Sequence, residues 1–284
     1  MQEKNNSEPG VEITKNFIDL RGVIAKKSPT LLKVLPWFVL SYLRRIIHED
    51  EINDFIYRNR NYWGLDFANA IMSEFVRKLT VIGEENIPID GRYIIVSNHP
   101  LGGLDGIALI SVAGRKRQDI VFPVNDILMN IPNLRPLFIP INKHGSNAQN
   151  VKILNDTFAS DQVILYFPAG MVSRKRKGVI KDLSWKKTFI TKAREYKRDV
   201  VPAYIEGKNS AFFYNLANYR KALGIKANLE MLYLVDETYK QRGKSITMTF
   251  GKPIPYETFD RKHSDTYWAE EVMKTVYNLP STVQ

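Results

Sequence analysis

The sequence predicts an α/β fold, with a largely parallel central sheet flanked by helices and preceded by an N-terminal helical segment. Two observations carry this prediction. Apolar runs of strand length recur between residues 92 and 250, and helix-length segments separate most of them. Strands that alternate with helices are joined by crossover connections, which place the strands parallel. In addition, 284 residues with 44% hydrophobic content suffice for one large core.

Residues 1–80 differ in character from the rest of the chain. The polar residues 1–10 are followed by no apolar signal-peptide run, so we expect a disordered tail on a chain that stays in the cytoplasm. We interpret residues 11–80 as a helical, membrane-associating segment. Its apolar and aromatic run over 31–43 lies between cations on both sides. The uncharged residues 34–43 fall short of the roughly 20 residues that cross hydrocarbon, so this helix lies in the interface.

A second helix of this segment is predicted by apolar residues at three- and four-residue spacing, namely Leu65, Ala68, Ile71, Met72, Phe75, Val76 and Leu79. With the first helix it would form a hairpin that enters one leaflet, as a peripheral or monotopic element on the cytoplasmic side of the inner membrane. The alternative is that both helices pack on the sheet, because amphipathic helices usually face a core.

Residues 81–284 carry the predicted sheet domain, and no internal repeat or low-complexity linker divides it. The apolar runs predict strands at 92–97, 119–124, 137–141, 162–167, 200–205 and 246–250. Helices are predicted near 106–114, 147–159, 183–197, 209–222 and 264–278.

The strand at 92–97 ends in the turn Asn-His-Pro-Leu-Gly-Gly-Leu-Asp, which precedes an apolar helix. A histidine followed by a carboxylate is typical of a general base, because the carboxylate fixes the imidazole tautomer and stabilises the imidazolium. His99 and Asp105 form this candidate pair, and Gly102 and Gly103 leave room for a substrate to approach the backbone. The alternative is a turn in which Asp105 only caps the following helix.

Two further strand ends carry motifs. Phe-Pro-Ala-Gly-Met-Val-Ser-Arg occupies residues 167–174, and Val-Pro occupies 201–202. Together with Asn98, His99 and Asp105, these motifs resemble in content and order the blocks of the glycerolipid acyltransferase superfamily, whose best-known members acylate lysophosphatidic acid. Residues 137–142 resemble the weaker second block of that family, and the resemblance extends over about residues 80–255.

The resemblance implies a fold like that of glycerol-3-phosphate acyltransferase. It implies transfer of a fatty acyl chain from an acyl carrier protein or coenzyme A thioester to a hydroxyl of a lyso-lipid, with no covalent acyl-enzyme. His99 is then the base and Asp105 its orienting partner, and backbone N–H groups of residues 102–106 are candidate oxyanion donors. No bound cofactor and no metal are expected.

The resemblance also implies a set of substrate-binding residues. Arg174 is expected to hold an anionic part of a substrate, because its guanidinium is a planar fork of donors. The full set is Asn98, Gly102, Gly103, Phe167, Pro168, Gly170, Ser173, Arg174 and Pro202.

Three positions depart from the family pattern. Five residues separate His99 from Asp105 where the family has four, so the glycine turn must absorb one residue. Ala169 replaces an acidic residue of the third block, and Asn142-Lys143 replaces the arginine of the second. The family associates these last two positions with a phosphate-bearing acceptor, so the changes point away from lysophosphatidic acid. The blocks are most similar to the hemolysin-like branch, which includes O-acyltransferases of aminoacyl lyso-lipids.

The formal net charge of +11 is concentrated beside the third block, where residues 171–198 hold eleven Lys or Arg against Asp182 and Glu195. Such a cluster attracts an anionic membrane surface or an acidic acyl carrier protein. A solvated helix face explains most of the individual lysines equally well. Nucleic acid is not expected as a partner, because no recognition module accompanies the charge.

Other chemistries find little support in the sequence. The chain has no cysteine, which excludes thiol nucleophiles, and its four histidines lack metal-ligand spacing. The serine-hydrolase elbow and the phosphate-binding P-loop do not occur. The competing interpretation is a non-catalytic peripheral membrane protein that binds lipid with the same fold. Ala169 favours that interpretation, whereas the intact pair of His99 and Asp105 argues against it.

Overall fold

A seven-stranded sheet forms the centre of the molecule in the computed structural model, which describes residues 13–125, 128–140 and 147–282. A separate two-stranded hairpin, β6–β7, follows the fifth strand. The strands are β1 (Val76–Ile82), β2 (Tyr93–Ser97), β3 (Ile120–Val124), β4 (Phe138–Pro140), β5 (Val163–Tyr166), β6 (Arg174–Arg176), β7 (Val179–Lys181), β8 (Asp199–Ile205) and β9 (Lys244–Phe250).

The order of the strands in the sheet is β1-β9-β8-β2-β5-β3-β4. All neighbouring pairs in this sheet are parallel except β8 and β9, which pair antiparallel. The predicted α/β class with a largely parallel sheet is therefore confirmed. The sheet is mixed because β9 runs antiparallel to β8, and β1, at the edge of the sheet, runs parallel to β9.

The helices precede the sheet and connect its strands. They are α1 (Leu20–Lys27), α2 (Pro29–Val34), α3 (Trp37–Ile46), α4 (Glu49–Arg58), α5 (Leu65–Phe75), α6 (Gly103–Ala113), α7 (Asn147–Ala159), α8 (Thr188–Glu195), α9 (Ala211–Ala222), α10 (Leu234–Tyr239) and α11 (Asp265–Asn278). Short 3₁₀ turns lie at Glu84–Asn86, Leu128–Asn130, Pro132–Leu137, Leu229–Tyr233, Tyr256–Thr258 and Leu279–Thr282.

The sheet separates two apolar layers. Alternate residues of a strand point to opposite faces, so Ile95 of β2 joins the layer under α5 and α6, whereas Ile94 and Val96 join the layer under α8 and α11. All five residues of β2 are buried. The central strand is thus fixed from both sides, and the turn that follows it starts from a rigid position.

The structure corrects the sequence prediction at the start of the sheet. The second predicted helix ends at Phe75, and Val76 and Leu79 belong to β1, which pairs in parallel with β9. Apolar spacing suggested a longer helix, but pairing with a strand about 170 residues away decides the conformation. The expected boundary at residue 80 therefore falls inside a strand of the central sheet.

The basic segment after the third block also differs from its prediction. The helix expected at 183–197 begins only at Thr188, and the charged residues before it form the hairpin β6–β7. Lys177 and Gly178 make its two-residue turn, with φ of 47° and 84°. A two-residue hairpin turn of this kind needs positive φ at both positions, which glycine adopts without strain.

The two expected N-terminal helices have different environments. α5 packs against α6 and buries Phe67, Ala68, Met72 and Phe75, as the core-facing alternative predicts. α3 buries only Ile46 and leaves Trp37 81% exposed. The two are separated by α4 and do not form the expected hairpin. Among the described residues, no helix combines the length and hydrophobicity needed to cross a bilayer.

Candidate active site

The carboxyl ends of β2, β5 and β8 lie together at one edge of the sheet, because β2 pairs in parallel with both neighbours. Loops at such an edge commonly carry function. Asn98 directly follows β2, and its side-chain amide makes two hydrogen bonds to the backbone of β8. Its Nδ2 donates to the carbonyl of Ile205 at 2.9 Å, and its Oδ1 accepts from the N–H of Ile205 at 2.7 Å. Asn98 is buried, so it fixes the start of the turn and does not face a substrate.

The next residue, His99, pairs with Asp105. The distance from His99 Nδ1 to Asp105 Oδ2 is 3.0 Å, and the imidazole stacks on the ring of Phe167 with 4.1 Å between ring centroids. The His99 side chain is 17% exposed, whereas Asp105 is fully buried. A carboxylate at Nδ1 holds the proton on that nitrogen and leaves Nε2 as the acceptor. The pair therefore has the arrangement of a general base and its orienting residue.

Asp105 also caps α6, so the two interpretations of this residue hold together. The same Oδ2 accepts from the N–H groups of Leu101 at 2.7 Å and Gly102 at 3.0 Å. Burial raises the pKa of the Asp105 carboxyl above its usual range, while the hydrogen bonds from His99 and the two backbone groups oppose that shift. One oxygen thus anchors the turn and orients the base.

Gly102 absorbs the extra residue between His99 and Asp105. Its φ of +95° is a conformation that L side chains rarely adopt, and a Cβ there would lie 3.1 Å from Leu234 Cδ2. Gly103 is the first residue of α6 and is exposed, with open space around the position of a Cβ. The first N–H groups of a helix have no acceptor within it. The Gly102 N–H already donates to Asp105, so the N–H groups of Gly103 and Leu104 remain as candidate oxyanion donors.

The sequence reasoning missed Asp182, a buried residue that holds the backbone of His99. Its Oδ1 accepts from the His99 N–H at 3.2 Å and from the Ser173 hydroxyl at 2.5 Å. Its Oδ2 accepts from Trp185 Nε1 at 2.9 Å. Asp182 is the single acidic residue between Met171 and Lys192 in the sequence, which is the signal that would have singled it out. Asp182 joins the third block to the His99 turn.

Ser173 and Pro202 occupy supporting positions. The Ser173 N–H donates to the carbonyl of His99 at 2.8 Å, so both of its polar groups serve the turn. Pro202 lies inside β8 opposite Val96, and its carbonyl accepts from Gly251 N–H at 2.8 Å. Both residues are buried. The structure gives them positioning roles in place of the predicted substrate contacts.

Arg174 is likewise not placed to hold a substrate anion. Its guanidinium donates to the carbonyl of Val172 at 2.6 Å and to Glu230 Oε1 at 3.1 Å, and the residue is 8% exposed. Burial lowers the Arg174 pKa, and the Glu230 charge opposes this effect. Glu230 also binds Arg220 at 2.5 Å. The prediction for Arg174 is corrected: it fixes the hairpin β6–β7 to the 3₁₀ turn that contains Glu230.

Comparisons with known proteins show the family to which the chain belongs. A family model described as Acyltransferase matches residues 22–284. The chain belongs to the acyltransferase family. A lyso-glycine lipid O-acyltransferase of Bacteroides thetaiotaomicron is 51% identical over 265 residues, covering 93% of this chain and 97% of that protein. A protein of the same name from Phocaeicola vulgatus is 49% identical over 265 residues, covering 93% and 95%.

Among solved structures, the 1-acyl-sn-glycerophosphate (LPA) acyltransferase PlsC from Thermotoga maritima is similar with a TM-score of 0.49 and 18% identity. The similarity covers 92% of this chain and 95% of that chain. The family match and the two relatives, at about half identity over nearly the whole chain, confirm the predicted superfamily and the prediction of an acyltransferase enzyme.

At its altered position, the third block of this acyltransferase packs into the apolar core. Ala169 is buried in the apolar layer that contains Trp185 and Phe189. An ionised carboxylate at this place would lose most of its contact with water. Phe167 supports the imidazole by stacking, Pro168 accepts from Lys186 N–H at 3.0 Å, and Gly170 is exposed with a φ of +63°. Of this block, Gly170 is exposed and Phe167 is partly exposed. The altered second block, Asn142-Lys143, lies outside the described residues.

Proposed function

We propose that this acyltransferase moves a fatty acyl chain from an acyl thioester to a hydroxyl of a lyso-lipid, with His99 as the general base. The pair of His99 and Asp105 at the exposed start of α6 carries the proposal. His99 Nε2 takes the hydroxyl proton as the oxygen attacks the thioester carbonyl. The C–O bond forms, the C–S bond breaks, and the proton returns from Nε2 to the leaving sulfur.

Two contributions to the rate follow from this arrangement. A positioned general base supplies about 10²- to 10⁴-fold. The backbone N–H groups of Gly103 and Leu104, at the positive end of α6, are placed to stabilise the oxyanion of the tetrahedral intermediate. The hydroxyl oxygen itself attacks the carbonyl, so no acyl group is carried on the protein.

For the acceptor, an aminoacyl lyso-lipid is the better candidate than lysophosphatidic acid. Both named relatives are lyso-glycine lipid O-acyltransferases, and they align with nearly the whole chain. Ala169 adds support, because the acidic residue that the wider family places in this block is missing and its position is buried in the core.

For the donor, the thioester of an acyl carrier protein is the candidate that the surface charge favours, with coenzyme A as the other. Arg176, Lys177 and Lys181 of the hairpin β6–β7 are exposed. The hairpin begins one residue after Ser173, which donates to the carbonyl of His99. An acidic carrier would therefore be steered toward the reacting histidine.

The reaction is proposed to take place on the cytoplasmic face of the membrane, with the protein bound peripherally or monotopically. Exposed apolar side chains cover one side of α2 and α3, namely Leu31, Val34, Trp37, Phe38 and Tyr42. The cations Lys33, Arg44 and Arg45 accompany them. Such a surface suits the interface of an anionic bilayer, where aromatic rings and cations meet the headgroups.

The test combines purified protein, a labelled acyl thioester on either carrier, and a panel of lyso-lipids that includes lyso-glycine lipid and lysophosphatidic acid. Transfer to the lyso-glycine lipid is the expected result. Transfer to lysophosphatidic acid alone would refute the acceptor assignment. Binding to lipid vesicles without transfer to any acceptor from either carrier would establish the alternative, a lipid-binding protein with an acyltransferase fold.

A further inference from the structure

A cavity lined by several lysines lies between the segments that follow the third block and β8. It has a volume of about 640 Å³ and is enclosed by the hairpin β6–β7, the start of α9 and the chain from α10 to β9. This volume is in the range of small-molecule sites. Four lysines line it: Lys175, Lys208, Lys240 and Lys244.

Most of this positive charge is uncompensated. Lys240 is paired with Asp236 at 2.7 Å and with the buried Glu237 at 2.8 Å. Glu237 is further occupied by the N–H and the hydroxyl of Ser210, both at 2.6 Å. Within the described part of the chain, Lys175 and Lys208 have no ion pair, and Lys244 makes one hydrogen bond, to Gln241 at 3.3 Å. Among the described residues, Lys175, Lys208 and Lys244 therefore bring positive charge to the cavity without an ion pair, whereas Lys240 is compensated.

The same cavity contains a buried amide without partners. Asn209 is 4% exposed, and neither its Nδ2 nor its Oδ1 has a hydrogen-bond partner among the described residues. Its backbone N–H is satisfied by the Tyr214 hydroxyl at 3.1 Å, which fixes the residue in place. Buried polar side chains are almost always hydrogen-bonded. An amide that lines a cationic cavity with both a donor and an acceptor unused indicates that a polar ligand completes it.

Three connections join the chain segments that line the cavity to the turn that contains His99. A Cβ on Gly207, two residues before Asn209, would lie 2.7 Å from Leu101 Cδ2 in the catalytic turn. Ile205 is clamped by Asn98, the residue before His99. Lys175 follows two residues after Ser173, which donates to the His99 carbonyl. The cavity and the His99 turn are therefore built on shared segments of the chain, so that one acceptor molecule can reach both.

We infer that this cavity binds the anionic headgroup of the acyl acceptor, and that the group is the carboxylate of an amino-acid lyso-lipid; the inference rests on the proposed function. Lys175, Lys208 and Lys244 neutralise the carboxylate. The amide of Asn209 pairs with the amide that joins the amino acid to its acyl chain, since that amide offers one donor and one acceptor. An amino acid joined through its nitrogen keeps its carboxylate, which matches the charge of the cavity.

The test compares two acceptors with one another: an N-acylglycine that carries a hydroxyl group on its acyl chain, and the methyl ester of the same compound. The variants are Lys208→Met, Lys244→Met and the double variant, and Lys226→Met is the control because Lys226 is exposed on a different segment. The double variant is expected to raise KM for the acid at least tenfold. KM for the ester is expected to change by less than twofold, because the ester has no charge to lose. Asn209→Leu is expected to raise KM for both compounds.

The outcomes separate this inference from the proposed function. Transfer by the wild-type protein with the same KM for the acid in the double variant would overturn the inference and leave the function standing. If the double variant instead raised KM for the thioester donor, the inference would also be overturned, because the lysines would then bind a phosphate group of the donor. Calorimetric titration of the acid gives a readout that needs no turnover. Binding that falls at least tenfold in the double variant supports the cavity even if no transfer is seen, and equal binding contradicts it.

Discussion

Replacing Asp105 separates its two roles, because Ala removes its hydrogen bonds whereas Asn removes its negative charge. Asp105 Oδ2 accepts from His99 Nδ1, Leu101 N–H and Gly102 N–H. In Asp105→Ala both backbone donors lose their acceptor in a buried turn, at about 1–3 kcal/mol each. The expected loss of unfolding free energy is therefore about 2–6 kcal/mol. In Asp105→Asn the side-chain oxygen still accepts from the backbone, so stability is expected to stay within about 1 kcal/mol of wild type.

Activity is expected to fall in both variants. In Asp105→Asn the amide oxygen at the Oδ2 position still accepts from His99 Nδ1, but it is neutral and no longer stabilises the imidazolium that forms on proton abstraction, so kcat is expected to fall by up to about 10²- to 10⁴-fold. Chemical denaturation and initial rates of acyl transfer, measured on the same preparations, give the two readouts. A stable Asp105→Asn protein with an unchanged rate would refute the contribution of the Asp105 charge, and a folded Asp105→Ala protein with an unchanged rate would refute the orienting role and leave Asp105 as a helix cap only.

The pH dependence of stability gives an independent check on the buried carboxyl. Because burial raises its folded-state pKa, Asp105 stabilises the fold below its unfolded pKa, and this contribution is lost as the pH rises through the folded pKa. Asp105→Asn does not titrate at this position. Its stability relative to wild type is therefore expected to improve from pH 4 to pH 7, and a constant difference in urea unfolding would contradict the assignment.

Three further predictions concern residues around the pair. In Gly102→Ala the free energy of unfolding is expected to fall by about 1–3 kcal/mol and most of the transfer rate is expected to be lost, because the φ of +95° is strained for alanine. Gly91→Ala is the control: its φ is +76° in open space, so it should lose similar stability in thermal unfolding and keep the wild-type rate. Asp182→Asn should lower kcat by tenfold or more with little change in acceptor KM, and an unchanged kcat would exclude its positioning role. Glu230→Gln breaks a buried ion pair and should cost about 3–5 kcal/mol at pH 7. Burial raises the pKa of Glu230, but Arg220 and Arg174 lower it by more, so the net pKa lies below its ordinary value. The stabilisation by Glu230 is therefore present above the unfolded pKa and is lost in acid. The same dependence of unfolding on acid pH in the variant and in the wild type would contradict this role of Glu230.

The parts of the fold that the sequence predicted are those whose signal is local. β2, β5 and β8 are runs of apolar residues buried on both faces. Such runs can be recognised in the sequence without knowing which strands they pair with. β1 was missed because its residues also satisfy a helical spacing, and its conformation depends on pairing with β9. The turn that contains His99 and Asp105 was predicted because seven consecutive residues hold the whole motif.

The errors at the site come from long-range partners. Arg174 looked free because its partner, Glu230, is 56 residues away. Asp182 looked like one charge in a basic run because its contact with His99 spans 83 residues. The unpartnered amide of Asn209 has no sequence signal at all, since only the folded chain shows that it is buried.

The decisive experiment for His99 as the general base is acyl transfer by His99→Ala and His99→Asn. His263→Ala serves as the control, because His263 is exposed and far from the catalytic turn in sequence. Unfolding curves show whether each variant is folded, and His99→Asn keeps a donor for Asp105 if the alanine variant is unstable. We expect kcat/KM to fall at least about 100-fold in both His99 variants and to stay at the wild-type value in the control. A folded His99 variant that retains transfer within tenfold of wild type would contradict the mechanism.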